Sequence, residues 1–130
     1  MRYQTTKYMN KKVVVDGIEF DSKKEAHRYR ELCLMLRTSK IAQLRLQVPF
    51  ELIPNQYETV TVQLKTKRKE TQRLVERKVE YIADFVYTDL ESGETVVEDV
   101  KGYRQGGAYD LFKIKRKLML QVYGIKVREI

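Results

Sequence analysis

The spacing of apolar residues changes period several times along the chain, and each change predicts an element. Val13 to Phe20, VVVDGIEF, sets an Asp-Gly dipeptide between two apolar runs, the pattern of a short hairpin. Ser22 stands three residues before Glu25 and opens a helix reaching to about Arg37, with Ala26, Tyr29, Leu32, Cys33 and Leu36 on one face. Leu46 to Ile53 and Tyr57 to Leu64 read as strands separated by Pro54-Asn55, and residues 65 to 70 form a charged turn. Alternation resumes at Leu74 to Val79 and leads into YIADFVY at 81 to 87. Ser92-Gly93 then turns the chain into ETVVEDVK at 94 to 101. After a glycine-containing loop, Gly102 to Gly107, the period from Tyr109 to Tyr123 is helical. Gly124 precedes a last alternating strand, Ile125 to Ile130. These elements predict an α/β fold: a mixed central sheet holding the Tyr81 and Thr95 strands, flanked by the two helices, with an extended basic β-hairpin around residues 57 to 80.

Five charges sit where this pattern expects apolar residues. Asp84 lies mid-strand, with Ile82 and Val86 expected on its face and Tyr81, Ala83, Phe85 and Tyr87 on the other. On the next strand Val97, Asp99 and Lys101 share a face while Glu98 and Val100 point away, so an acid and a lysine stand side by side. Glu25 falls inside the apolar arc of the first helix. Lys115 falls near the centre of the arc Leu111, Phe112, Ile114, Leu118, Met119 and Val122 of the second. Taken singly, each has an ordinary reading: a capping-box glutamate, a snorkelling lysine, a salt-bridged strand acid, a cross-face ion pair. Taken together, two aspartates converging from a hairpin are suitable oxygen ligands for Mg2+.

Charge and length narrow the partner. At 130 residues the chain fits one domain spanning 1–130, with a polar, basic tail through Lys12. Twenty-six Lys and Arg against 18 Asp and Glu leave a formal charge of +8, which favours a polyanionic partner. Cys33 is the one cysteine, so neither an internal disulfide nor a structural zinc site is expected. No apolar run approaches the roughly 18 residues of a membrane span, and a cytoplasmic protein without membrane partners is the expectation.

The order helix acid, strand acid, hairpin, Asp-x-Lys, helix resembles the PD-(D/E)XK, or restriction-endonuclease-like, nuclease superfamily. It is carried by Glu25, by Ala83-Asp84-Phe85 and by Glu98-Asp99-Val100-Lys101-Gly102. The resemblance is closer to small phage-type endonucleases, some of them Holliday junction resolvases, through the opening Asp16 to Ala26 and through Gln47. The chain departs from the superfamily at Ala83, where the family name has Pro, and in the length of its basic hairpin. The resemblance implies a restriction-endonuclease-like core and a metal-dependent endodeoxyribonuclease selective for branched DNA, active in phage recombination and so in a bacterial cytoplasm. A non-catalytic nucleic-acid-binding module, or a sequence-specific or general DNA nuclease, is the alternative. It makes Asp84 and Asp99 ligands of Mg2+, with Mn2+ able to substitute, the Val100 carbonyl a further ligand and Glu25 the helix contribution. Lys101 would orient the attacking water. Lys115 and Gln47 are second-line candidates for holding the phosphate, Lys115 ranking first. DNA contacts are expected from Lys65, Lys67, Arg68, Lys69, Arg73, Arg77, Lys78, Arg104, Lys113 and Lys117, with the charged turn clamping a duplex or reaching across a junction. Two symmetrical cuts in a junction would further imply a homodimer.

Overall fold

A computed structural model describes residues 11–130. Hairpin β1 (Val13–Val15) and β2 (Ile18–Phe20) precedes helix α1 (Lys23–Arg37). Strands β3 (Ile41–Ile53), β4 (Gln56–Gln63), β5 (Arg68–Glu76), β6 (Val79–Asp89) and β7 (Thr95–Asp99) follow, then α2 (Gly107–Tyr123) and β8 (Arg128–Glu129). The fold is mixed α/β. Its central sheet has the order β3-β6-β7-β8, antiparallel except for the parallel β7–β8 pair. Most boundaries follow local chemistry. Asp16 (φ 53°) and Gly17 (φ 77°) both occupy positive φ, as the two-residue turn of β1–β2 requires. The Ser22 hydroxyl accepts the Glu25 N–H at 3.1 Å to start α1, and Gly124 at φ 69° closes α2.

Two apolar clusters cover opposite faces of the sheet. Phe85, Tyr87 and Val96 pack with Leu32 and Ala26 of α1, whereas Val86 and Val97 pack with Phe112 and Met119 of α2. Strict alternation predicts that odd positions of β6 keep to one side, yet Tyr81 and Ala83 belong to the α2 cluster. The same crossover occurs in β3, where Leu44 and Leu46 join the α1 cluster but Val48, Phe50 and Leu52 the α2 cluster. Both changes fall at Gln47 and the residue opposite it, Asp84. Gln47 has φ 51°, an uncommon conformation for a non-glycine residue, and it re-aims the strand without breaking the register. Ile82, expected beside Asp84 on an apolar face, is accordingly 53% exposed.

Other expectations are corrected. The strand expected from Leu46 begins at Ile41, carried past a register shift at Gln43 (φ 57°). The charged turn is shorter than 65 to 70 because Arg68 to Glu70 already pair with β4. Leu74 to Val79 is no single run: β5 ends at Glu76 and β6 starts at Val79. The last strand shrinks to Arg128–Glu129. Leu36 of α1 is exposed, and in α2 the supposed buried arc is rotated, leaving Leu111, Ile114 and Val122 exposed at 52%, 55% and 48% while Phe112 and Met119 are buried. Apolar residues surround most of α2, so period alone does not select the face that docks. Lys12 pairs with Glu19, while the rest of the expected basic tail before Lys11 lies outside the described residues. Among the described residues no helix is long and apolar enough to cross a membrane.

Under α1 lies an acid that the sequence pattern did not single out. Glu98 is fully buried, receives Arg28 Nε at 2.8 Å and Nη2 at 2.6 Å, and accepts the Tyr87 hydroxyl. This two-pronged pair ties α1 to β7 and satisfies both carboxylate oxygens. Removing one partner from such a pair leaves a buried charge uncompensated. Arg28→Met is therefore expected to lose roughly 3–5 kcal/mol of stability. Urea unfolding of the two proteins at neutral pH measures it, and a loss under about 1 kcal/mol would mean the pair is solvated.

Candidate active site

The β6–β7 register sets Phe85 opposite Glu98 and Val86 opposite Val97, so one step further Asp84 stands opposite Asp99, where β7 ends. Past that end the Val100 N–H donates to Asp84 Oδ2 at 2.8 Å in place of a backbone acceptor. From β3, the Gln47 side-chain amide donates to Asp84 Oδ1 at 3.2 Å and to Glu25 Oε1 at 3.3 Å. One amide nitrogen thus joins a helix acid to a strand acid. Asp99 is held from two sides, accepting the Tyr81 hydroxyl on Oδ1 at 2.9 Å and facing the Lys101 ammonium from Oδ2 at 2.6 Å. That ammonium sits 3.7 Å from the centroid of the Phe112 ring, an apolar floor that confines it beside the acid. Glu80, Ile82, Ala108, Leu111 and Lys115 complete a cleft of about 260 Å³ around Tyr81, Asp99, Lys101 and Phe112.

Crowding of like charge marks this place. Burial, then the negative charges of Asp84, Asp21 and Asp99, raise Glu25 from 4.5 to about 7, partly offset by a hydrogen bond from the Asp21 backbone. Asp84 is raised from 3.8 to about 6, chiefly by burial and further by Asp99. The Val100 and Gln47 bonds and the Lys101 charge oppose that rise. A divalent cation would relieve the same repulsion. The donor set of Glu25, Asp84 and Asp99 is the hard oxygen chemistry that Mg2+ and Mn2+ take. In the present side-chain arrangement Gln47, Val100, Tyr81 and Lys101 engage these oxygens, and among the described residues no three His, Cys, Asp or Glu side chains form a ready-made metal cage.

The expected site residues do not all fall here. Glu25, Asp84, Asp99 and Lys101 come together, and the Val100 backbone lies against Asp84 while its side chain packs toward α1. The ranking of the second-line residues is reversed: Gln47 touches two of the acids, whereas Lys115 lines the cleft from the edge of α2, since Phe112 rather than Lys115 faces the sheet. Lys65, Lys67, Arg68 and Lys69 are exposed at the far end of the β4–β5 hairpin, with Arg77 exposed at its base. Several other basic candidates are already paired: Arg73 with Glu58, Lys78 with Glu80, Arg104 with Glu129 and Lys113 with Asp110. Lys117 lines a separate depression with Arg116, Lys126 and Glu129. Sequence reasoning missed Tyr81 and Phe112 as supports of Asp99 and Lys101. It also missed Lys24, whose ammonium lies 2.6 Å from the Lys101 carbonyl. Tyr81 and Phe112 read as ordinary core aromatics and carry no local signal of the acid and the lysine beside them.

A family model described as a protein of unknown function, DUF1064, matches residues 5–129. No curated protein and no solved structure matches the chain.

Both raised carboxylates make stability depend on pH with a defined sign. Between about pH 4.5 and 7 folded Glu25 keeps a proton that the unfolded chain has released, so stability is highest below that window and falls as pH rises through it. Asp84 acts in the same direction between its ordinary 3.8 and about 6. Glu25→Gln is expected to flatten the decline between pH 5 and 7 in thermal melts recorded in chelator. A slope identical to wild type would show that Glu25 titrates normally.

Proposed function

The chain belongs to the DUF1064 family, and we propose that this protein is a divalent-metal-dependent endonuclease with a restriction-endonuclease-like core, hydrolysing phosphodiester bonds in branched duplex DNA. The observation that carries the reading is the convergence of Glu25, Asp84, Asp99 and Lys101 at the open end of β7, with Gln47 bridging two of the acids. A structural ion-pair network would be expected to neutralise its acids, as Arg28 does Glu98. Here Lys101 pairs with Asp99, while Glu25 and Asp84 meet neutral donors, the Gln47 amide and the Val100 N–H. The two raised carboxylates, Glu25 and Asp84, adjoin Asp99 at the edge of the cleft, and carboxylates perturbed by burial and like charge are concentrated at functional sites.

Glu25, Asp84 and Asp99 are the residues that would hold Mg2+ or Mn2+, aided by the Val100 carbonyl. When bound, the cation supplies Lewis-acid stabilisation of the charge on the scissile phosphate. The protein's own groups do the remaining work. Lys101, held over Phe112 and against Asp99, presents a fixed positive charge to the attacking water and to the phosphoryl oxygens as negative charge builds there. Tyr81 fixes the rotamer of Asp99 through its hydroxyl, and Gln47 sets the separation of Glu25 from Asp84. Water oxygen bonds to phosphorus as its proton passes through the carboxylates to solvent, the bond to the leaving sugar oxygen breaks, and that oxygen takes a proton from solvent water to leave as the alcohol. Lys115 lies at the rim of the cleft, where it would meet a neighbouring phosphate. A net charge of +8 holds the polyanion near it.

Labelled linear duplex, flapped DNA and a four-way junction, incubated with and without Mg2+ or Mn2+, test the reading directly. Paired cuts confined to the junction are expected, and Asp99→Ala should reduce them roughly a thousand-fold or more. Cutting of every substrate would leave a general nuclease. Binding without metal-dependent cleavage would leave a non-catalytic DNA-binding module. If two cuts are made by two copies, sedimentation should report a dimer on the junction.

A further inference from the structure

The β4–β5 hairpin has no place in the core. Among the described residues β4 and β5 contact each other and no other element, and every residue from Gln56 to Glu76 is exposed except Val60, which is half-buried. A two-stranded hairpin on its own is marginally stable in water. A solvated arm of this length implies a surface against which it is held.

We propose that this arm lies in the major groove of B-form DNA beside the scissile phosphate, so that the arm makes the protein selective for DNA duplex over RNA duplex. Three features of the arm fit that partner. Charge is the first: Lys65, Lys67, Arg68 and Lys69 put four cations into five residues at the tip, with only Glu70 beside them. The second is the face formed by Thr59, Thr61, Gln63, Arg68, Glu70 and Gln72, aligned by the Thr59↔Gln72, Thr61↔Glu70 and Gln63↔Arg68 pairs. Its amides, hydroxyls and guanidinium are groups that hydrogen-bond to base edges, and Gln72–Thr59 (2.9 Å) and Arg68–Gln63 (3.1 Å) now hold one another. The opposite face carries Val60, Val62 and Lys69 and would face away from the bases, with Lys69 toward the phosphates at the groove edge.

Dimensions are the third. Eight residues of β4 extend about 27 Å at about 3.4 Å per residue. Two strands about 4.8 Å apart, with side chains, fit the roughly 12 Å width of the B-form major groove, which admits a two-stranded ribbon. The A-form RNA major groove is deep and narrow and excludes it.

The inference rests on the nucleic-acid half of the proposed function and not on hydrolysis. Binding is therefore measured without divalent cations, using the full chain, a mixed-sequence 20-base-pair DNA duplex and the RNA duplex of the same sequence. Wild type is expected to bind the DNA at least about tenfold more tightly than the RNA. Replacing Lys65, Lys67, Arg68 and Lys69 by Ser should remove most of that preference and leave RNA affinity little changed. It should also flatten the dependence of log affinity on log salt for DNA by about three. Gln63→Ala with Gln72→Ala, which leaves the charge intact, should weaken DNA binding without changing that slope. Equal wild-type affinity for DNA and RNA, or an unchanged preference in the quadruple variant, overturns the inference. So does a quadruple variant whose only change is conversion from dimer to monomer in sedimentation, since the arm would then bind a second copy. Metal-dependent cleavage that persists in a variant with unchanged preference would leave the nuclease reading standing while the arm inference falls. Arm-dependent DNA preference without cleavage would do the reverse.

Discussion

The hydrogen bond from the Val100 N–H to Asp84 Oδ2, 2.8 Å long, decides the architecture of the cleft. Beyond Asp99 the β7 backbone stops pairing with β6, and a side-chain carboxylate takes the donor that a carbonyl would have accepted. An unpaired buried N–H is unfavourable, so an acid at this position both ends the ladder and is fixed by its end. Opposite it, the positive φ of Gln47 swings β3 so that its amide reaches Asp84 and Glu25 together. The residue positions that pack on α1 before this point pack on α2 after it. The site therefore lies where the sheet passes from one helix to the other, with an element of each within reach.

Two adjacent acids show how differently the protein treats buried charge. Glu98 points toward α1, where Arg28 and Tyr87 occupy its oxygens and close it from water. Asp99, its neighbour in sequence, points to the other face and meets Tyr81 and Lys101 at an open cleft. The first arrangement fastens a helix to a sheet. Beside the second, burial and the charge of Asp99 raise Asp84, and burial with the charges of Asp84, Asp21 and Asp99 raises Glu25. Packing forces do not require such a concentration of acid, which is the ground for the cation site proposed above.

Positive charge is distributed unlike the acids. Arg73, Lys78, Arg104 and Lys113 are each matched with a nearby carboxylate, so these positions offer a ligand less than unpaired cations would. The tip of the β4–β5 arm instead carries its lysines and arginine exposed, at the end of a ribbon that touches no other element among the described residues. The acid cluster at the end of β7 and the basic tip of the arm are thus carried by separate parts of the chain.

Local chemistry by itself determined much of this protein. Asp16-Gly17 demands a tight hairpin, Ser22 caps α1, Gly124 ends α2, and Asp99 and Lys101 share a strand side because side chains alternate. The anomaly of Asp84 and Asp99 among apolar neighbours was visible for the same reason: a charge at a core-patterned position stands out against a short period. Tertiary structure decided what short periods do not encode. Rotation of α2 put Phe112 and Met119 inward and left Lys115 at the rim, because a helix apolar on several sides can dock on any of them. Gln47 gained its place from a backbone twist and from two acids distant in sequence, and Arg28 found Glu98 across 70 residues. Such pairings depend on how elements stack, and the energy that selects them is spread over the whole core rather than written in any one segment.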